Sequence, residues 1–358
     1  MLSVGIVGLP NAGKSTVFNA LCRGGAKVSN YAFCTIEPNR GVVAVPDPRL
    51  ARVAAIFEQS QATPAAIEFV DVAGLVKGAS RGEGLGNQFL AAIREVDAIL
   101  HVLRAFENPQ VPHTEGNTDP VRDAEIVELE LIIADLGSVQ RRRERLASGL
   151  KARAAEALRE AEALDLLEQH LNAQRPARVL PQRDEVLPLA QLSLLTAKPE
   201  VYLLNTGEAR GEAGRAVAQI EGKLNGPVIA VPAKLEADLA ELDDADREVF
   251  AAEMEESETG LEQVIHACYQ ALGLVTFFTG VGAEARAWTV PRGALLTVAA
   301  GRIHTDMERG FIRAEVIDFD SLDAAGSWQQ AHKLGAVRTE GKDYQVQEGD
   351  VVLVRFHP

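Results

Sequence analysis

The chain has 358 residues, 47% of them hydrophobic, which is room for two or three domains with proper cores. A formal net charge of -15 repels phosphate backbones at long range, so nucleic-acid binding through overall charge is excluded and any RNA contact is local. No apolar run approaches the ~18 residues of a membrane span, the amino end lacks a signal-peptide core, and Cys22, Cys34 and Cys268 are too few and scattered for a disulfide framework or a zinc site. The expectation is a cytoplasmic, monomeric protein with free thiols and no membrane partner.

In chain order, residues 3–7 (SVGIV) read as a short buried strand, followed by a glycine-rich turn and the helically spaced run KSTVFNALC at 14–22. Between them GLPNAGKS, Gly8 to Ser15, fits G-x-x-x-x-G-K-[ST] in the strand-to-helix context that its mechanism requires. Its glycines free backbone N–H groups to point at phosphate oxygens, Lys14 gives the outer phosphates a cation, and the Ser15 hydroxyl is placed to ligate magnesium. Asn11 either serves the loop structurally or offers a carboxamide oxygen to a potassium ion, which would do the charge work of an arginine finger.

A magnesium switch also needs a threonine that closes over the third phosphate, and NYAFCTIEPN supplies Thr35. The strand pattern AIEFVDVAG at 66–74 ends with Asp71, placed to hold the metal through water, and Gly74, whose amide can sense the terminal phosphate. Leu75 then stands where many switch GTPases carry a water-orienting glutamine. Leucine cannot orient water, so turnover is slow or another group enters. The candidate is His113 in ENPQVPHTEG, a polar, proline-containing loop expected to be mobile at the surface. An unperturbed imidazole titrates near pH ~6.5 and can orient or deprotonate water.

Further strands are predicted at 97–106, 199–205 and 226–233, with helices between several of them. Such alternation predicts an α/β fold, a mostly parallel sheet covered by helices on both faces. Two helical runs interrupt it. Between Val121 and Arg175 there is no proline, and Leu129, Ile132, Leu136, Val139, Leu146 and Leu150 recur at steps of three, four or seven. The run 152–173 then returns antiparallel, which gives a coiled-coil insertion at 122–195 inside a nucleotide-binding domain of 1–121 and 196–277. Arg141, Arg142, Arg143, Arg145, Lys151 and Arg153 make its tip basic, either a docking surface for RNA or an acidic protein or simply a solvated face.

LLNTGE at 203–208 stands where switch proteins read guanine with Asn-Lys-x-Asp. Glu208 is a methylene longer than the usual aspartate and Thr206 replaces the stacking lysine, so the paired acceptor for guanine is displaced. Asn205 can pair bidentately with adenine, which predicts ATP over GTP. Ala233 and Lys234, in VPAKLEAD, occupy the second base-side loop. From about 278 to the end, short alternating runs predict a small β-rich domain with more acidic than basic residues.

GLPNAGKST, NYAFCTIEPN, FVDVAGLVKGASRGEGLGNQFL, NTGE, and the carboxyl-terminal RAWTVPRGALLTVAAGRIHTDMERGFIRAEVI and GKDYQVQEGDVVLVRF resemble the YchF or Obg-like ATPase family across essentially the whole chain. The resemblance implies a P-loop NTPase of the Obg-related class with a coiled-coil insertion and a β-grasp TGS domain at 278–358. It implies hydrolysis of ATP in preference to GTP, association with ribosomes, and an RNA or ribosome contact through the TGS domain. By position it assigns Asn11, Ala12, Gly13, Lys14, Ser15 and Thr16 to the phosphates, Ser15 and Thr35 to magnesium, Asn205 and Thr206 to the base, and His113 to catalysis. Cys34 matches a position tied to redox sensitivity. The alanine- and arginine-rich insertion departs from the family. Two other classes stay open on the residues: a module in which ATP only stabilises a shape, and a conventional GTPase with a degenerate base loop.

Overall fold

The computed structural model describes residues 1–24, 39–72, 85–151, 154–190, 192–207, 213–220, 222–241, 259–282 and 284–357. Its first sheet runs β2 (Arg40–Ala44), β4 (Ala66–Asp71), β1 (Ser3–Val7), β5 (Ala98–Arg104), β6 (Glu200–Asn205), β7 (Val228–Val231). Only β2 is antiparallel, paired with β4; the other pairings are parallel. β1 lies at the centre, and each of its five residues is buried, as a strand covered on both faces must be. Its side chains alternate. Val4 and Ile6 join one core with Val17 and Leu21 of α1 (Lys14–Gly24), while Val7 joins the opposite core with Phe89 and Ile93 of α3 (Leu85–Glu95). This is the helix-covered, mostly parallel sheet that the alternation of runs predicts.

The helical hairpin is formed by α4 (Pro120–Lys151), 32 residues long, and α5 (Ala155–Asn172). Asp119 caps α4 by accepting the Arg122 N–H at 3.1 Å, with Pro120 in the first position where its missing N–H costs nothing. The expected break at 122 falls inside one continuous helix. Val127 and Leu131 pack on the α/β core, and only from Ile132 onward does α4 turn its apolar face to Leu164, Leu167 and Leu171 of α5. Leu129, an expected seam residue, is 41% exposed.

Two buried polar groups tie the hairpin to the sheet. Asp135, fully buried, accepts the backbone N–H groups of Leu195 and Thr196, each at 2.9 Å, and the Thr196 hydroxyl at 2.7 Å. Burial pushes its carboxyl above the usual range, and those donors work against the rise. Arg178, in the turn after α5, reaches Glu200 of β6 at 2.5 Å and also pairs with Glu128 of α4. Two residues of the basic tip are engaged by the facing helix within the hairpin itself. Arg142 pairs with Glu160 and Arg143 with Asp165 and Glu168 of α5, while Arg141 bonds Ser138 of α4 itself at 3.1 Å. Arg153 lies outside the described residues.

The second sheet runs β11 (Arg338–Glu340), β10 (Phe311–Asp318), β12 (Asp350–Phe356), β8 (Leu274–Thr279), β9 (Ala285–Pro291), β3 (Ala62–Thr63). It begins at Leu274, four residues ahead of 278, and it also takes in β3 from the amino-terminal half. Leu296, Ala299 and Ala300 of the helix Leu296–Ile303 fill its concave side with Phe277, Val290 and Val316, a β-grasp arrangement. α2 (Pro48–Ile56) fastens this unit to the α/β core: Arg52 meets Asp323 at 2.6 Å, and Phe57, which follows the helix, packs on Trp328 with ring centroids 5.6 Å apart.

Asp135→Ala would leave two buried N–H groups without acceptors. The expected loss is about 3 kcal/mol of stability, measured by denaturant unfolding; a loss below about 1 kcal/mol would show that the hairpin does not depend on this carboxylate.

Candidate nucleotide site

The turn after β1 brings backbone close to backbone. Gly8 has φ +148 and a Cβ there would lie 2.4 Å from the Val102 carbonyl oxygen of β5. At Gly13, φ +98, a Cβ would lie 2.3 Å from the Asn205 side-chain nitrogen. Asn11 adopts φ 64, a left-handed value that asparagine tolerates better than most residues. The loop therefore sits at the carboxyl ends of β1, β5 and β6, and α1 starts directly behind it with its N–H groups aimed outward. Thr16 follows in the first turn of α1, half-buried.

Lys14 is 9% exposed and donates to the Leu9 carbonyl at 2.9 Å. Burial lowers its pKa, and the Asp71 carboxylate pulls the other way. An ammonium held by one carbonyl in a desolvated seat is suited to an incoming phosphate. The Ser15 hydroxyl donates to Asp71 Oδ2 at 3.0 Å, across from the end of β4. A hydroxyl and a carboxylate side by side are hard oxygen ligands of the kind magnesium takes, directly or through water. Thr35, Cys34, Gly74, Leu75 and Glu208, expected in the switch and base regions, lie outside the described residues.

Asn205 departs from its expected role. Its Nδ2 donates to the Ala12 carbonyl at 3.0 Å, its Oδ1 accepts the Gly207 N–H at 3.0 Å, and the residue is 3% exposed. The carboxamide braces the phosphate loop against the base loop, so it is not presented edge-on for bidentate pairing with adenine. Beside it, Thr206 is buried with its hydroxyl unpartnered among the described residues. Ala233 is fully buried and Lys234 donates its backbone N–H to Gly207 at 3.3 Å, which brings the two base-side loops together. The Lys234 ammonium meets Asp238 at 2.5 Å on the surface.

His113 also differs from expectation. Its side chain is 5% exposed, with Nε2 2.7 Å from Asp123 Oδ2, while Nδ1 accepts the Glu115 N–H at 3.0 Å. The loop expected to be mobile is held at several points. Arg104, 3% exposed at the end of β5, donates to the carbonyls of Phe106 and Val111 at 3.1 and 2.8 Å and lies 4.5 Å over the Phe106 ring. Asn11 donates to the Pro112 carbonyl at 3.1 Å, and Arg122 reaches Asn117 twice at 2.7 Å. A Cβ on Gly207 would lie 3.1 Å from Phe106. The histidine loop thus spans from the phosphate loop to the base loop. Sequence reasoning missed Arg104 and Asp123; the Asp-Pro pair at 119–120, a helix-start signal, would have placed Asp123 in the first turn of α4.

A phosphate-binding loop at the strand ends, an adjoining hydroxyl and carboxylate, and a mostly parallel sheet define a P-loop nucleoside triphosphatase. A family model described as 50S ribosome-binding GTPase matches residues 3–133, and the YchF-GTPase carboxyl-terminal model, described as a protein of unknown function, matches 274–357. The chain is 46% identical over 363 residues to the "Ribosome-binding ATPase YchF" of Bacillus subtilis (strain 168), covering 99% of each. It is 46% identical over 357 residues to the protein of that name from Escherichia coli O157:H7, covering 99% of this chain and 98% of that one. The solved structure of the Schizosaccharomyces pombe YchF GTPase superimposes with a TM-score of 0.85 at 32% identity, over 99% of this chain and 97% of that one. The chain belongs to the YchF family.

Asn205→Ala would free the Ala12 carbonyl and the Gly207 N–H together. Calorimetric titration is expected to show ATP and GTP binding weakened alike, each about tenfold or more; a loss confined to ATP would return Asn205 to base reading.

Proposed function

We propose that the chain hydrolyses ATP, in preference to GTP, as a magnesium-dependent switch protein that docks on the ribosome in the cytoplasm. The observation that carries the reading is the assembled triphosphate cradle: Lys14 seated under its loop and the Ser15 hydroxyl on the Asp71 carboxylate. Relatives that match it end to end are named ribosome-binding ATPases, which supports both the substrate and the partner. Preference for ATP is supported by Glu208, whose longer side chain displaces the paired acceptor that guanine needs. The fission-yeast relative is described as a GTPase, so base preference is the feature to measure first.

In this reading Asn11, Ala12, Gly13, Lys14, Ser15 and Thr16 wrap the phosphates, and Ser15, Thr35 and Asp71 hold magnesium. Bound there, the metal would neutralise charge on the outer phosphates. Gly74 senses the terminal phosphate, and Thr206, Glu208, Ala233 and Lys234 line the base. Asn11 gives its nitrogen to Pro112, which leaves its oxygen for a potassium ion. His113, rather than Leu75, orients the attacking water, and oxidation at Cys34 would hinder closure of the neighbouring threonine. RNA contact through the hairpin and the β-grasp domain belongs to the same reading, as does a monomeric state.

Competition titration is expected to give ATP binding at least tenfold tighter than GTP, about 1.4 kcal/mol, and the opposite order would overturn the base assignment. Chelation of magnesium should abolish turnover. His113→Ala should slow single-turnover hydrolysis about a hundredfold, and an unchanged rate would leave the chain a nucleotide-stabilised binding module.

A further inference from the structure

His113 has two ring nitrogens, and two independent partners specify the same tautomer. The Glu115 N–H points into Nδ1 at 3.0 Å, which requires a lone pair there. Asp123 Oδ2 lies 2.7 Å from Nε2, which as the other nitrogen of a neutral ring carries the hydrogen and donates it. The carboxylate is in turn fixed: its side chain is 4% exposed, and its Oδ1 accepts from Arg122 Nε and Nη2 at 3.3 and 2.9 Å. Arg122 is itself anchored to Asn117 of the histidine loop. Asp123 stands in the first turn of a 32-residue helix, where the amide dipoles favour negative charge.

We propose that Asp123 is the positioning residue of the hydrolytic site, holding His113 as the Nε2–H tautomer so that Nδ1 is the nitrogen that meets the attacking water. The inference rests on the reading of His113 given above. In the reaction, water replaces the Glu115 N–H at Nδ1 and attacks the terminal phosphorus. As the new P–O bond forms, the bond to the bridging oxygen breaks, ADP leaves with that electron pair, and the water proton passes to Nδ1. The ring is then an imidazolium, and the carboxylate already bonded to Nε2–H stabilises it. Because Asp123 belongs to α4, the geometry of the step is fastened to the root of the hairpin, so that whatever bends the hairpin at its root moves the histidine.

The test is Asp123→Asn. Arg122 presents only donors, so it will hold the amide oxygen and turn the amide nitrogen toward His113. Nε2 must then accept, Nδ1 must carry the hydrogen, and the lone pair is lost to water. Steady-state kinetics of the full chain should show kcat lowered about tenfold to a hundredfold with KM for ATP within about threefold. The histidine 15N spectrum should show the His113 ring changed from Nε2–H to Nδ1–H. In a His113→Ala background, Asp123→Asn should cost nothing further, since it acts through the ring. An unchanged or raised kcat, an unchanged tautomer, or an equal further loss in the double variant would overturn the proposal. Should His113→Ala alone leave the rate intact, the histidine reading itself falls, whatever tautomer the spectrum reports.

Discussion

The structure depends on a single crowded contact, the passage of a side-chain-free backbone over the carboxyl ends of three parallel strands. An anion can be held by main-chain N–H groups only where the chain approaches without Cβ atoms in the way. Gly8 lies against the Val102 carbonyl and Gly13 against the Asn205 carboxamide, with no room for a methyl group at either. That passage sets the seat of Lys14, the start of α1, and the meeting of Ser15 with Asp71. Asn205 closes the arrangement from the other side, since its amide bonds to Ala12 and its oxygen to Gly207. Phosphate binding and base binding therefore share one brace.

The histidine loop extends the same logic. It carries few apolar side chains, so hydrogen bonds from side chains to its carbonyls hold it, with Arg104, Asn11 and Arg122 as donors. Arg104 is a buried cation without a carboxylate partner among the described residues; carbonyl oxygens and the face of Phe106 substitute for one. Such a loop keeps its shape while both of its ends stay in place. One end is the last residue of β5 and the other is the first turn of α4, with the phosphate loop braced against its middle at Pro112.

Charge is distributed so that the acidic body and its arginines largely satisfy each other. The hairpin is a basic face laid on an acidic one, with Arg142 and Arg143 of α4 facing Glu160, Asp165 and Glu168 of α5. The exposed pair of Arg143 with Asp165 contributes little to stability, on the order of ~0.5 kcal/mol, whereas Glu160 is buried and Arg142 offsets the cost of burying its charge. At the root, where charges are buried, Arg178 with Glu128 and Glu200 carries a large desolvation cost and fixes orientation instead. The β-grasp unit is joined through α2 and through β3, so the interface is continuous with the cores on both sides.

Much of this was legible in order along the chain. Strand and helix periods, the glycine-lysine-serine spacing and the proline-free heptad run are local patterns, and local patterns report which face of an element is buried. They placed β1, β4, β5 and β6, the phosphate loop, and the helical hairpin. What the sequence by itself determined was therefore the kind of element, its order, and the chemistry of the loop between β1 and α1. Tertiary structure alone decided that Asn205 is a brace, that His113 is buried against Asp123, that α4 belongs to the core before it belongs to the hairpin, and that Arg142 and Arg143 face carboxylates of α5. Each of these is a pairing between residues on different elements or loops. A hydrogen bond or ion pair made across space leaves no period in the chain, because its partner is fixed by packing rather than by spacing.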